Sequence, residues 1–394
     1  MAKIPRSEFK GRIDRIKNRM VREGFDALIV YGDEYRRENV RYVSNYWPIF
    51  ERAAVLISPD SEPILLVAPE GREIAREMSV WSDVRFLREM QCVSVPEEIS
   101  YTAVKHTTFA DVFKDILPSG KTRKVGIVGI SDIPKTVYSS LQESLPGVDL
   151  QDSGQLLFEM RIIKSESEIE CLAEAAKIGD IGYEQLMSRA LPGTTELEAA
   201  AAGEGAARAA GAEAIAFTIF GTGKRSDMII PRPSNKVIKR GDMVVAGLAV
   251  QYEGYITTAQ FPFVAGRKPT KEQKLLFDVI VNAESKGLEK LKPDVPAREF
   301  VKAVRGYFKE KSLLQYTAYT PLHGCGLAEA ESPYPDERSE TIFKAGMTVN
   351  PDVSLHSTPY GSNRVEESLA ITKSGRRPLS KYIRSLREEW LGLA

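Results

Sequence analysis

The stretch RIIKSESEIECLAEAAKIGDIGYEQLMSRAL, residues 161–191, separates two different textures of sequence. Ser165 is followed three places later by Glu168, the capping-box spacing in which each side chain satisfies the other residue's free backbone N–H, so a long amphipathic helix starts here. Thr195 and Glu198 repeat the device. The second helix is alanine-rich, from Leu197 to about Ala210, and Gly211 ends it. Gly203 and Gly205 lie inside that span, where glycine costs roughly 1 kcal/mol against alanine, so they signal either close packing or a shifted boundary.

Upstream, Phe9, Ile13, Ile16 and Met20 recur at helical spacing and Gly24 stops them. Strand-sized apolar runs follow at FDALIVY (25–31), AAVLI (53–57), PILLVA (63–68) and KVGIVGI (124–130), alternating with helical segments. That alternation predicts an α/β N-terminal domain over residues 1–155. Downstream of Ala212 the chain turns β-rich: MVVAGLAV (243–250), EGYITTAQFPFV (253–264), MTVNPDVSL (347–355) and RVEESLAIT (364–372). Helical patterns over 271–291 and 297–312 divide these runs into two pairs. Helix pair, strands, helix pair, strands predicts an internally duplicated α+β domain over residues 156–394.

Charge and cysteine usage narrow the function classes. Lys plus Arg number 54 and Asp plus Glu number 54, so the formal net charge is zero and no basic excess exists to drive phosphate binding. Nucleic acid is not an expected partner. The three cysteines, Cys92, Cys171 and Cys325, have neither metal-ligand spacing nor the number for a disulfide framework, which fits a reducing compartment. The N-terminus lacks the apolar core of a secretory signal, and no apolar run approaches the ~20 residues that span a bilayer. A cytoplasmic location without membrane association is expected.

Three segments carry residues suited to chemistry. In LHGCGL (322–327) glycines flank His323 and let a ligand approach, although a histidine packed in a turn explains the same pattern. Glu329 and Glu331 follow in EAESP, either as site carboxylates or as a solvated acidic loop. In RVEES (364–368) strand alternation puts Glu366, Ser368 and Ala370 on one face and Val365, Glu367, Leu369 and Ile371 on the other, so one carboxylate must face a covered side. Burial demands a partner: Arg364, His323 or a substrate cation. On 253–264 the same alternation aligns Thr258 and Gln260, on a pocket wall or on a solvent-facing stripe.

Taken in order, RIIKSESEIECLAEAA, PGTTELEAAAA, KVIKRGDMVV, LHGCGLAEAESP, AGMTVNPDV and NRVEESLAIT resemble the creatinase, prolidase and aminopeptidase P family across nearly the whole chain. The resemblance implies a pita-bread fold for the second domain and the family's α/β domain for the first. It implies a metal centre of two aspartates, one histidine and two glutamates in the peptidases. Here those positions fall on Gly247, Thr258, His323, Asn350 and Glu366, which keeps only His323 and Glu366 as strong ligands. Creatinase is the family member that works without metal. Phe50 and Arg52 in IFER resemble its element that reaches into the neighbouring subunit to grip the substrate carboxylate, a task suited to the planar arginine fork. Its histidine base, however, falls on Ile230, its second glutamate on Gln260 and an arginine on Ala330.

The expectation that follows is a homodimeric, metal-independent, creatinase-like hydrolase that cleaves a C–N bond in a small carboxylate-bearing nitrogenous substrate, with no cofactor. His323, Glu366 and Glu331 are the expected catalytic groups, and Phe50, Arg52, Thr258, Gln260, Asn350 and Arg364 the expected substrate contacts. The alternatives are a lyase acting by proton abstraction, a metal-dependent Xaa-Pro peptidase with Glu329, Glu331 and Asp352 as substitute ligands, and a peptide-binding pseudo-peptidase.

Overall fold

A computed structural model describes residues 2–92, 104–117 and 123–393. The chain divides into two compact units, Ile4–Met160 and Arg161–Ala394, the second joined by the first residues of the chain. The division falls inside the helix Gly154–Ile162, a few residues beyond the expected border at 155.

The first unit is built on a six-stranded mixed sheet. Its strands are β1 (Ala27–Asp33), β2 (Arg52–Ile57), β3 (Ile64–Val67), β4 (Val84–Phe86), β5 (Lys124–Val128) and β6 (Asp149–Asp152), in the order β4-β3-β2-β1-β5-β6. β1, β2 and β3 pair antiparallel, while β5 and β6 run parallel to β1 and β4 runs parallel to β3. Apolar residues cover both faces of the central strands, which is why those runs read as continuous rather than alternating. One core packs Ile29, Leu56 and Ile127 against Phe109, Phe113 and Leu141 of the flanking helices.

In the second unit the capping boxes form as spaced: Ser165 with Glu168 opens the helix Glu166–Arg189, and Thr195 with Glu198 opens Glu196–Ala209. Gly203 is explained by packing, because a Cβ there would stand 2.7 Å from Leu186 Cβ and 2.9 Å from Gly182 O. The two helices approach through glycine. After them come β7 (Ala214–Thr222), β8 (Met243–Tyr252), β9 (Tyr255–Ala259) and β10 (Phe263–Val264), with β7, β9 and β10 all antiparallel to β8. A second helix pair, Lys271–Leu288 and Ala297–Glu310, precedes β11 (Leu322–Gly324), β12 (Thr348–Thr358), β13 (Gly361–Glu366), β14 (Leu369–Thr372) and β15 (Gly375–Pro378). The chain closes on the helix Lys381–Leu391.

The strands depart from the sequence reading at several places, β4, β6, β11 and β15 being short additions to it. β7 was not among the expected strands: Thr218 divides its apolar residues, and Ile215–Thr218 are only half-covered. The run 364–372 is two strands rather than one: β13 pairs with β12 up to Glu366, and β14 starts anew at Leu369 on the same partner. The run 253–264 likewise splits into β9 and β10. Strand alternation therefore does not carry from Glu366 through to Ala370.

Candidate active site

Register brings the polar residues together. β12 is the shared partner: His323 on β11 stands opposite Asn350, while Glu366 and Arg364 on β13 stand opposite Asp352 and Ser354. Gln260 then bridges the two sheets, donating its N–H to Glu366 O at 3.0 Å and accepting from Glu366 N at 2.9 Å. A cavity of about 720 Å³ opens over this seam, and His323, Glu329, Asp352, Arg364 and Glu366 all line it. Its remaining wall is largely apolar, formed by Phe217, Ile219, Ile229, Ile230, Pro231 and Pro233, with Tyr319 and Tyr334 beside the charged groups.

His323 is the hub. Its Nδ1 donates to Gly324 O at 2.9 Å, which turns Nε2 toward the carboxylates. Nε2 lies 3.6 Å from Glu366 Oε1 and 3.8 Å from Glu329 Oε1. The ring stacks on Tyr334 with centroids 5.7 Å apart and 14° between planes. Burial works against a charged imidazole, but the contact with Glu366 and the charges of Glu329 and Glu366 outweigh it and hold the ring's pKa up to about 10. Glu366 is pushed up by burial and by Asp352 and pulled down by His323, so the pair titrates as a unit and retains a proton at neutral pH.

Neighbouring groups fix the two carboxylates. Thr258 Oγ1 donates to Glu329 Oε1 at 2.9 Å, and Asn350 Nδ2 donates to Glu366 Oε1 at 3.1 Å. Asn350 is itself oriented by Ser368 Oγ, which donates to its Oδ1 at 2.7 Å. Arg364 is buried, with one amino group donating to Ile229 O and the other 3.7 Å from Asp352. Tyr319 Oη completes this corner with a 3.1 Å hydrogen bond to Asp352.

Several expected site residues stand elsewhere. Thr258, Gln260 and Asn350 do not line the cavity; Thr258 and Asn350 lie behind it as supports for Glu329 and Glu366. Gln260 is 0% exposed, and neither of its amide atoms has a hydrogen-bond partner among the described residues. Glu331 is not on the cavity wall either. It is buried between Arg161 and Lys164, with Lys164 Nζ 2.7 Å from its Oε1, an ion triad that occupies both its oxygens. Phe50 and Arg52 belong to the first unit. Phe50 is 74% exposed at a positive φ of 57°, whereas Arg52 is half-buried and its Nη1 donates to the carbonyls of Gln91 and Glu89.

The sequence offers Glu329 only as one substitute ligand among several, yet it reaches the centre. The apolar wall is not among the sequence expectations; its signal is the pair Ile229-Ile230 beside Pro231, and Ile230 is 72% exposed.

Family models assign the same two parts. Residues 170–373 match Metallopeptidase family M24, and residues 12–163 match the Creatinase/Prolidase N-terminal domain. The chain belongs to metallopeptidase family M24. This M24 chain is 30% identical over 257 residues to an Xaa-Pro dipeptidase of Pyrococcus horikoshii, covering 65% of this chain and 73% of the relative. With the Xaa-Pro dipeptidase of Pyrococcus furiosus it shares 28% over 302 residues, 76% of this chain and 85% of that one. The crystal structure of the Pyrococcus horikoshii prolidase superposes with a TM-score of 0.81 at 26% identity, covering 94% of this chain and 98% of the other. An Xaa-Pro dipeptidase structure from Bacillus anthracis gives 0.78 at 25% identity, covering 95% and 98%.

These relatives bear out the family resemblance and the pita-bread fold, and they overturn the metal-independent, creatinase-like reading: the family model is a metallopeptidase's and the relatives are Xaa-Pro dipeptidases. A two-ion centre nevertheless does not fit the residues present in this M24 chain. Gly247 offers no donor, the Thr258 hydroxyl donates to Glu329, and the Asn350 amide donates to Glu366. Ligand atoms of His323, Glu329 and Glu366 do lie within 4.8 Å of one another, and that set fits one ion.

Proposed function

We propose that this chain hydrolyses the peptide bond of a small, Xaa-Pro-type substrate in the cavity over β11–β13. The observation that carries the reading is the convergence of His323, Glu329 and Glu366 beside an apolar wall and a buried arginine. A cation held by those three side chains would polarise the scissile carbonyl and lower the pKa of attacking water. The chain's own groups do the rest. Phe217, Ile219 and Ile229 accept a prolyl ring or another apolar side chain, and Arg364 or Arg232 pairs with the substrate carboxylate. Glu366, fixed by Asn350, would complete the cation's ligand set next to His323.

The test is release of proline from a panel of Xaa-Pro dipeptides by protein supplied with Mn(II), Co(II) or Zn(II). Turnover is expected, and Glu366→Gln should lower kcat by a factor on the order of 10² or more with the fold intact. No release from any member of the panel, by protein shown to be folded, overturns the reading. A second reading, peptide binding without turnover, is favoured by the non-ligand residues Gly247, Thr258 and Asn350. It predicts measurable calorimetric binding of the same dipeptides without proline release.

The family likeness also supports a homodimer in which exposed Phe50 meets the other copy, and a total of three cysteines, too few for a disulfide framework, supports a reducing, cytoplasmic setting. Sedimentation velocity of wild type against Phe50→Glu tests the former: a dimer that survives the charge excludes Phe50 from the interface.

A further inference from the structure

We propose that the cavity binds one divalent transition-metal ion per chain, through His323 Nε2, Glu329 and Glu366, and that Glu329 is a ligand this chain uses in place of those it has lost. The inference shares its site with the peptidase reading but is read by binding, so either can fail while the other stands.

Geometry admits one ion. Ligands about 2.1 Å from a tetrahedral metal are roughly 3.4 Å apart, and the separations of 3.6 and 3.8 Å from Nε2 to the two carboxylate oxygens need only small side-chain shifts to match. One imidazole and two carboxylates suit Mn(II), Fe(II), Co(II) or Zn(II) rather than an all-oxygen Ca(II) site or a thiolate site. Each donor is already aimed. Gly324 O accepts from His323 Nδ1 and so turns Nε2 toward the ion's position, Thr258 holds Glu329, and the Ser368–Asn350 pair holds Glu366. Thr258 and Asn350 sit at two positions where the family resemblance implies ligands, so here they have become the supports of other ligands.

Geometry also crowds the Gly247 position against a longer residue that could serve as a ligand. A Cβ at Gly247 would stand 2.6 Å from Gln260 Oε1, so the Gln260 carboxamide occupies the space where a longer residue would project. That amide is fully buried and unpartnered among the described residues, a polar group adjoining the seam that donates no charge to an ion. An aspartate at 247 would require the Gln260 side chain to shift.

Stripped protein is titrated with Mn(II) and Zn(II), following calorimetry, metal content after desalting, and the Mn(II) electron paramagnetic resonance spectrum. One equivalent per chain and the spectrum of an isolated ion are expected. Glu329→Gln should weaken binding at least 100-fold, and Thr258→Val, which keeps all three ligands, by about 10- to 100-fold. Circular dichroism and a thermal melt establish that each variant is folded. Two equivalents with a spin-coupled spectrum, no saturable binding at millimolar metal, or unchanged affinity in folded Glu329→Gln would each overturn the proposal. Should Glu329→Gln not fold, unchanged affinity in Thr258→Val overturns the assignment of Glu329 in its place.

Discussion

At Glu331 the surroundings decide what a carboxylate does. Burial alone would raise its pKa, but Arg161 and Lys164 outweigh that and hold it below the usual carboxylate range. A group whose folded pKa is depressed contributes stability above its unfolded pKa, and that contribution is lost as pH falls through the folded value. Glu331 is therefore charged throughout the neutral range and serves as an anchor for two buried cations rather than as an acid or base. Glu331→Gln would remove the negative charge that buried Arg161 and Lys164 share and should cost about 3–5 kcal/mol in urea unfolding. If stability is unchanged and kcat alone collapses, Glu331 is a reacting group after all. Sequence spacing could not make this distinction. His323 and Glu366 were legible because glycine flanks and a strand-borne acid are local signals. Glu329 and Glu331 stand two residues apart in one acidic run, and only the partners brought by distant segments, Thr258 for one and Arg161 with Lys164 for the other, separate their roles.

Elements position these residues through contacts of a single atom's width. Gly203 and Gly205, two residues apart in the helix Glu196–Ala209, look equivalent in sequence and carry the same intrinsic penalty. Their surroundings differ. A Cβ at Gly203 would press on Leu186 and Gly182 of the facing helix, whereas at Gly205 nothing lies within 4 Å. Gly203→Ala should then destabilise by about 1–3 kcal/mol through overpacking, while Gly205→Ala should stabilise by roughly 0.5–1 kcal/mol. Denaturant midpoints of the two variants, measured side by side, must move in opposite directions; a shift of the same sign would mean the helices are not in close contact here. The helices themselves were readable from their capping boxes, which are local. β7 and the break between β13 and β14 were not, because half-covered strands and the change of pairing at Glu366 depend on which neighbour supplies the hydrogen bonds.

At the scale of the whole molecule the chain divides into two compact units, and a buried carboxyl in one makes stability depend on pH. Glu51 is such a group in the first unit. It is fully buried at the start of β2, accepting from Tyr46 Oη and from Ala68 N at 2.8 Å, and burial pushes its pKa up to about 8 against the help of the backbone donors. The folded form thus binds its proton more tightly than the unfolded chain, where a glutamate titrates near ~4.3. With that sign, the stabilising contribution is complete below the unfolded value and is lost as pH rises through about 8. At about 1.4 kcal/mol per pH unit the upper limit of the loss is on the order of 4–5 kcal/mol, less whatever the site relaxes. Trp47 and Trp81 report on this unit alone once Trp390 is replaced by Phe. In that background, urea unfolding followed by fluorescence should show stability falling between pH 5 and 8. Glu51→Gln should flatten the profile, because an amide satisfies Tyr46 and Ala68 without titrating. An equal slope in both proteins would assign the pH response to other groups and leave Glu51 ionised in the folded state.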